Sequence, residues 1–222
     1  DYADDLFNPY VVKLSFINQD GPHDGTSTFD TMTDAMQGPG RLIVGAAGNH
    51  RTDAFHIDHT FASTADAPLR TFAKYKVAPS NSASGGTIEI WGEKGTDFTV
   101  DIAAFSMVNK KDAVSTTVYP AEGLTETSFG KYATGTWKVA SKVSPLNGKP
   151  HVVLTSALTG IRNNYAIALT ITPKTAGRVN IWSDNTYLAL ESRDIEGFSA
   201  TEATSSTLCE IGGTRKRILN VG

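Results

Sequence analysis

Asn49 follows an unbroken run of apolar and small residues, Leu42-Ile43-Val44-Gly45-Ala46-Ala47-Gly48. An asparagine after glycine is ordinarily a turn residue. At the end of a buried strand its amide N–H₂ can instead donate toward a substrate oxygen, which is the chemistry of an oxyanion hole. Four of the five histidines lie between His23 and His59. His56-Ile57-Asp58-His59, with His23-Asp24, can be drawn as a metal cluster, because imidazole and carboxylate both suit zinc. The spacing matches no strong zinc signature, so polar side chains holding loops near a cleft is the better reading. His23-Asp24-Gly25-Thr26-Ser27 has the residue types of a Ser/His/Asp triad. Residues this close in sequence cannot converge to triad geometry, however, and Thr26 or Ser27 reads as a helix cap. Trp91, Trp137 and Trp182 can stack on sugar rings if a sheet face exposes them. Core packing is favoured, since large aromatic side chains are mostly buried. Cys209 sits beside Glu210 with no histidine near it in sequence, a poor setting for a nucleophilic thiolate.

The elements that would position these groups fall into two textures. Val11-Val12-Lys13-Leu14-Ser15-Phe16 is a short β-branched run, followed by a Gly/Asp/Pro-rich loop from Asn18 to Gly25. Ser27-Thr28-Phe29-Asp30 fits a capping box. Phe29, Met32 and Met36 then recur at helical spacing and predict one apolar helix face. Gln37-Gly38-Pro39-Gly40 ends the helix. Leu42 to Ala47 follows as a continuous apolar strand of the kind that parallel sheets bury on both faces. Strand, helix and strand make a βαβ unit with an expected right-handed crossover. In open α/β sheets ligands sit beyond the carboxyl ends of the strands. That places Asn49, and the segment Ser15 to Asn18, where a site would be.

From about residue 65 to 200 the period falls to two. Ile88 and Ile90, then Phe98, Val100 and Ile102, then Ile167, Leu169 and Ile171 each alternate with other residues. This predicts half-buried antiparallel strands. Roughly seven or eight such strands predict a β-sandwich of the jelly-roll kind. Ile88-Glu89-Ile90-Trp91 and Val179-Asn180-Ile181-Trp182 echo one another as similar strands. The expected fold is therefore a partial α/β layer at 1–60, an inserted antiparallel β-sandwich at 61–205 and a return strand at 206–222, β-rich overall. The last stretch, Ile211 to Gly222, joins a basic patch to a short apolar strand that must pair with something, the α/β part being the natural partner.

Composition narrows the functions. The 222 residues are 40% hydrophobic and 19% charged, which is globular rather than disordered. A net charge of -3 offers no basic excess for a phosphate backbone, so nucleic acid is not an expected partner. The apolar runs are far too short to span a bilayer. One cysteine excludes an internal disulfide framework. Asp1-Tyr2-Ala3-Asp4-Asp5 is acidic where a targeting segment is basic and then apolar, so no signal peptide is expected at these residues.

Val11-Val12-Lys13-Leu14-Ser15-Phe16, Gly21-Pro22-His23-Asp24-Gly25-Thr26-Ser27 and Ile43-Val44-Gly45-Ala46-Ala47-Gly48-Asn49 together resemble the central part of the subtilisin-like serine proteases. The stretch Gly21 to Ser27 is similar to the branch containing the clostridial germination proteases. Thr214 to Gly222 looks like the strand that precedes the nucleophile segment. In that branch a jelly-roll domain stands between the oxyanion asparagine and the catalytic serine, where the β-rich stretch lies here. The resemblance implies that Asn49 is the oxyanion-hole donor. It also implies that Leu14, Ser15 and Phe16 pair with substrate and wall one side of its cleft, and that Ala46, Ala47 and Gly48 form the opposite wall. It implies a peptide or protein substrate, the rest of a subtilase domain as partner and a secreted or cell-envelope location. Calcium enters only through the resemblance, and no other cofactor is expected. Segments matching the family's catalytic Asp, His and Ser are absent, so the chain itself is expected to be inactive, with apolar surface exposed where the missing sheet strands would pack and dimerisation or aggregation to be expected there. The alternatives are a catalytically inactive subtilase scaffold and a sandwich that binds carbohydrate or protein.

Overall fold

The computed structural model describes residues 8–15, 18–49, 55–75, 85–184, 188–191 and 219–221. The chain divides into two compact units, Asp1–Asp53 with Ser205–Gly222, and Ala54–Thr204.

The first unit holds β1 (Tyr10–Leu14), α1 (Thr28–Met36), β2 (Arg41–Ala46) and, from the far end of the sequence, β14 (Leu219–Val221). The three strands form one sheet in the order β1-β2-β14. Both pairings are parallel, with Val12 opposite Ile43, Leu14 opposite Gly45 and Leu219 opposite Val44. Helix α1 begins where the sequence spacing places it. The Ser27 hydroxyl accepts from the Asp30 backbone N–H at 3.0 Å, and Asp30 Oδ2 accepts from the Ser27 N–H at 3.1 Å, a complete capping box.

Two expectations fail here. The side chains buried on α1 are Asp30 and Thr33, whereas Met32 and Met36 are exposed. The cap explains part of this, because the carboxylate that satisfies the helix N-terminus is turned inward. The run Leu42–Ala47 is also not buried on both faces: Ile43 and Gly45 are buried, and Leu42 is exposed. Among the described residues of this unit a single nine-residue helix accompanies the three strands, too little to cover both sides of the sheet.

The second unit is an antiparallel β-sandwich. Its strands are β3 (His56–Phe61), β4 (Leu69–Tyr75), β5 (Thr87–Gly92), β6 (Phe98–Ser106), β7 (Lys111–Val118) and β8 (Gly123–Ser128), then β9 (Ala133–Val143), β10 (Pro150–Ile161), β11 (Tyr165–Pro173), β12 (Gly177–Ser183) and β13 (Leu188–Glu191). One sheet has six strands in the order β3-β12-β5-β10-β9-β8, and the other five in the order β13-β4-β11-β6-β7. The described residues thus carry more strands than the alternation revealed. Edge strands β7 and β8 read KDAVSTTV and GLTETS and are largely exposed, so their apolar period is faint.

The core between the sheets takes Ile88, Ile90, Val152, Leu154 and Ile181 from one side and Val100, Ile102, Ile167, Leu169 and Ile171 from the other. In the central strands the intervening residues are buried too. Phe72, Ala103, Phe105, Ala166 and Ala168 form a second cluster. The registers put Phe72 and Ala103 opposite Ala168, and Phe105 opposite Ala166, on the outward face of the five-stranded sheet. Half-burial therefore holds for the edges and fails at the centre.

Candidate functional site

The β1–β2 register brings two of the segments singled out in the sequence to the same end of the parallel sheet. Leu14, the last residue of β1, pairs with Gly45, the penultimate residue of β2. Ser15 continues from the first strand and is exposed; Ala47, Gly48 and Asn49 continue from the second. Gly48 has φ 103°, a backbone region that side-chain-bearing residues rarely occupy, so glycine is what lets the chain turn out of the strand before Asn49. Asn49 is exposed at that carboxyl end. Phe16 and Cys209 lie outside the described residues.

The loop from β1 into α1 leaves the same end of the sheet. His23 has φ 52°, and its Nε2 lies 3.0 Å from the Gln19 carbonyl. Asp24 accepts the Thr26 backbone N–H at 3.0 Å and Ser27 caps the helix. His23, Asp24 and Ser27 are thus held in local turn and cap bonds rather than arranged as a triad, as their spacing predicts.

The histidine-rich segment is strand β3. Alternation along the strand sends His56 and Asp58 to one face and Ile57, His59 and Phe61 to the other. The two histidines of this stretch therefore cannot close on one ion. Among the described residues no group of three or more His, Cys, Asp and Glu side chains is placed to hold a metal. Asp58 instead receives a forked bond from Arg178 on β12, with Nε donating to Oδ1 at 2.6 Å and Nη2 to Oδ2. This guanidinium bond holds the Asp58 carboxyl below its ordinary 3.8 and raises Arg178. A carboxyl lowered by folding stabilises the fold fully above its unfolded value, and that contribution disappears as pH falls through the folded one. Wild-type chain is therefore expected to lose its advantage over Asp58→Asn as pH drops below about 4. Denaturant titrations of both proteins at pH 7 and pH 2.5 check this; an equal gap at both values refutes it.

The echo between β5 and β12 has a structural counterpart. The strands pair antiparallel with Ile90 opposite Ile181, Glu89 opposite Trp182 and Trp91 opposite Asn180. Around Ile90 and Ile181 the neighbours repeat with local two-fold character. Glu89 Oε2 accepts from Trp91 Nε1 at 2.8 Å and meets His151 Nε2 at 2.9 Å. Asn180 Oδ1 meets His56 Nε2 at 2.9 Å. The His151 ring stacks on Trp91 at 3.5 Å and the His56 ring on Trp182 at 3.6 Å. Trp91, Trp137 and Trp182 are only 7%, 0% and 5% exposed, so none presents a ring face to a sugar. This removes the observation on which a carbohydrate-binding sandwich would rest. The echo is visible in the sequence, whereas the pairing of Trp91 and of Trp182 with a histidine from an adjacent strand follows only from the strand order.

Along its whole length the chain matches the structure of the Clostridium perfringens CspB protease, with a TM-score of 0.70 and 17% identity, covering 100% of this chain and 43% of that one. At that identity the likeness is one of fold. A Clostridium thermocellum endo-1,4-beta-D-xylanase 10B structure with CBM22-1 and GH10 modules covers 67% of this chain and 30% of its own at 10% identity, and its TM-score of 0.22 carries no argument. No family model matches the sequence, and no curated protein matches it. Among the described residues no helix is long and apolar enough to cross a membrane, which says nothing of a β-barrel.

Proposed function

We propose that these residues form the central part of a subtilisin-like serine endopeptidase whose Ser, His and Asp lie on other parts of a longer polypeptide. The observation that carries this reading is the fold match to a clostridial protease along the whole chain. The grouping of Leu14 and Ser15 with Ala46, Ala47, Gly48 and Asn49 at one end of the parallel sheet supports it.

In this reading a peptide or protein substrate lies between two walls, Leu14, Ser15 and Phe16 on one side and Ala46, Ala47 and Gly48 on the other. The serine Oγ attacks the scissile carbonyl carbon while the histidine takes its proton. The oxygen becomes an oxyanion, and the Asn49 amide donates to it. The C–N bond then breaks as the histidine returns the proton to the amine, and water hydrolyses the acyl-enzyme. The partner of these residues is the rest of the catalytic domain, and the place of action is outside the cell or in its envelope.

A fluorophosphonate probe tests the reading. It is expected to label the longer polypeptide and to leave the 222-residue chain unlabelled. A folded longer polypeptide that fails to label overturns the proposal in favour of an inactive scaffold.

A further inference from the structure

We propose that one end of the sandwich docks on an anionic lipid bilayer. Among the described residues of the second unit the exposed large apolar side chains are Val108, Tyr119, Leu124, Val143 and Leu146. All but Val108 belong to one corner. Val143 ends β9 opposite Pro150, the first residue of β10, and Leu146 lies in the turn between these two strands. Leu124 is the second residue of β8 and pairs with Ala140 near the end of β9. Tyr119 stands in the turn that feeds β8, where the Glu122 N–H donates to the Tyr119 carbonyl at 3.1 Å. Leu124 is 78%, Leu146 60% and Val143 54% exposed.

Lysines rim this corner. Lys142 is exposed between Ser141 and Val143. Lys149 closes the β9–β10 turn, its N–H donating to Asn147 Oδ1 at 3.0 Å. Lys94, from the β5–β6 turn, lays its methylenes along Gly148, where an added Cβ would stand 3.3 Å from Lys94 Cε. The carboxylates nearest in sequence are drawn elsewhere: Glu122 Oε2 accepts the Tyr119 N–H at 3.0 Å, and Glu93 lies beside Arg178. The β9–β10 turn is rigid before any ligand arrives. The Ser144 N–H donates to the Lys149 carbonyl and the Gly148 N–H to the Ser144 carbonyl, both at 2.8 Å. A preformed turn loses little conformational freedom on docking.

Shape and charge select the occupant. Apolar tips on turns give a rigid protein far less contact than the roughly 800 Å² per partner of a stable interface. A bilayer deforms around them. Leu146 and Val143 enter the boundary between headgroups and acyl chains, while the lysine ammonium groups stay with the lipid phosphates on their apolar stems. The chain as a whole carries a net charge of -3, so attraction to an anionic surface is confined to this corner. The inference does not depend on the protease reading.

Vesicle flotation tests this, with phosphatidylcholine alone and with phosphatidylcholine carrying about 40 mol% phosphatidylglycerol. The 222-residue chain is expected to float with the anionic vesicles and to stay behind with the neutral ones. Leu146→Ser is expected to lower the partition coefficient by about tenfold through lost apolar burial. Lys94→Gln combined with Lys142→Gln is expected to lower it by more than about tenfold. Leu42→Ser, which alters an exposed apolar residue of the first unit, is expected to change nothing. Leu146, Lys94 and Lys142 are exposed, so thermal unfolding should be the same in their variants. A polarity-sensitive dye on Leu146→Cys in a Cys209→Ser background is expected to shift to the blue on anionic vesicles only. Absence of flotation overturns the proposal, as does a loss in Leu42→Ser rather than in Leu146→Ser. Binding that the lysines govern and Leu146 does not, with no dye shift, also overturns it, since the ligand is then any polyanion. The longer polypeptide is expected to float as the short chain does; if it does not, this end is covered and the proposal fails. None of these readouts needs a working nucleophile, so flotation without fluorophosphonate labelling refutes the protease reading alone.

Discussion

Replacing Asn49 by alanine in the longer polypeptide is expected to lower kcat by about 10²–10³ and leave KM nearly unchanged. The magnitude is that of losing an oxyanion-hole asparagine in a subtilisin, the role proposed above for Asn49. In that role the amide would meet a full negative charge only once the carbonyl has become tetrahedral, which gives the split. Its bond strengthens between bound substrate and transition state, which is the condition for an effect on kcat rather than on binding. Asn49 is exposed beyond the end of β2, so the substitution removes no core contact, and thermal unfolding should be unchanged. Steady-state kinetics on a peptide substrate decide the matter. A raised KM with kcat intact would assign Asn49 to substrate binding, and no change in either would remove it from the site.

The second large effect is expected in the sandwich. Trp137 is fully buried on β9 in the inter-sheet core, and its Nε1 donates to the Tyr75 hydroxyl at 2.9 Å. Tyr75 in turn lies 2.6 Å from Ser156 Oγ, and burial pushes its phenol up to about 12. This chain of bonds ties β9 and β10 of one sheet to β4 of the other. Trp137→Ala removes the largest side chain in the core and is expected to cost about 3–5 kcal/mol. That corresponds to roughly 8–16 °C in midpoint temperature for a unit of this size. Trp137→Phe keeps most of the ring volume and loses only the indole donor, so its cost should be nearer 1–2 kcal/mol. Calorimetry on the 222-residue chain separates the two. A loss of less than about 1 kcal/mol in the alanine variant would mean that Trp137 is not what holds the sheets together.

The parts legible in the sequence are those where local chemistry and period agree. The capping box at Ser27 and Asp30 marked the start of α1; the helix does stop before Gly38, but at an extended Gln37 rather than through a left-handed glycine cap. Ile88, Ile90, Val100, Ile102, Ile167, Leu169 and Ile171 were readable because a two-residue period survives even when the intervening residues are buried as well. The placement of Leu14 beside Gly45 follows from the βαβ connection, since a helical crossover returns the second strand parallel to the first. Strand β3 was not legible, because HIDHTF mixes polar and apolar residues on faces that only its pairing with β12 defines. The exposure of Met32 and Met36 was not legible either, because helical spacing reports a face and not what lies against it. The tryptophan–histidine stacks require the strand order, which no local pattern carries.

The pairing of β14 with β2 sets a timetable for synthesis. Val44 and Leu219 are partners although 175 residues separate them (219 minus 44). At a ribosomal rate of about 5–20 residues per second, β2 emerges roughly 9–35 s before β14, its partner on that edge. The sandwich strands are made in the meantime. Their own distant pairing, β3 with β12, closes before β14 has left the ribosome. The nascent chain is therefore expected to hold a folded sandwich while β2 still offers a bare edge. A holdase with affinity for extended apolar segments would find its ligand in that interval, on Leu42 to Ala46, and lose it when Leu219 to Val221 arrives.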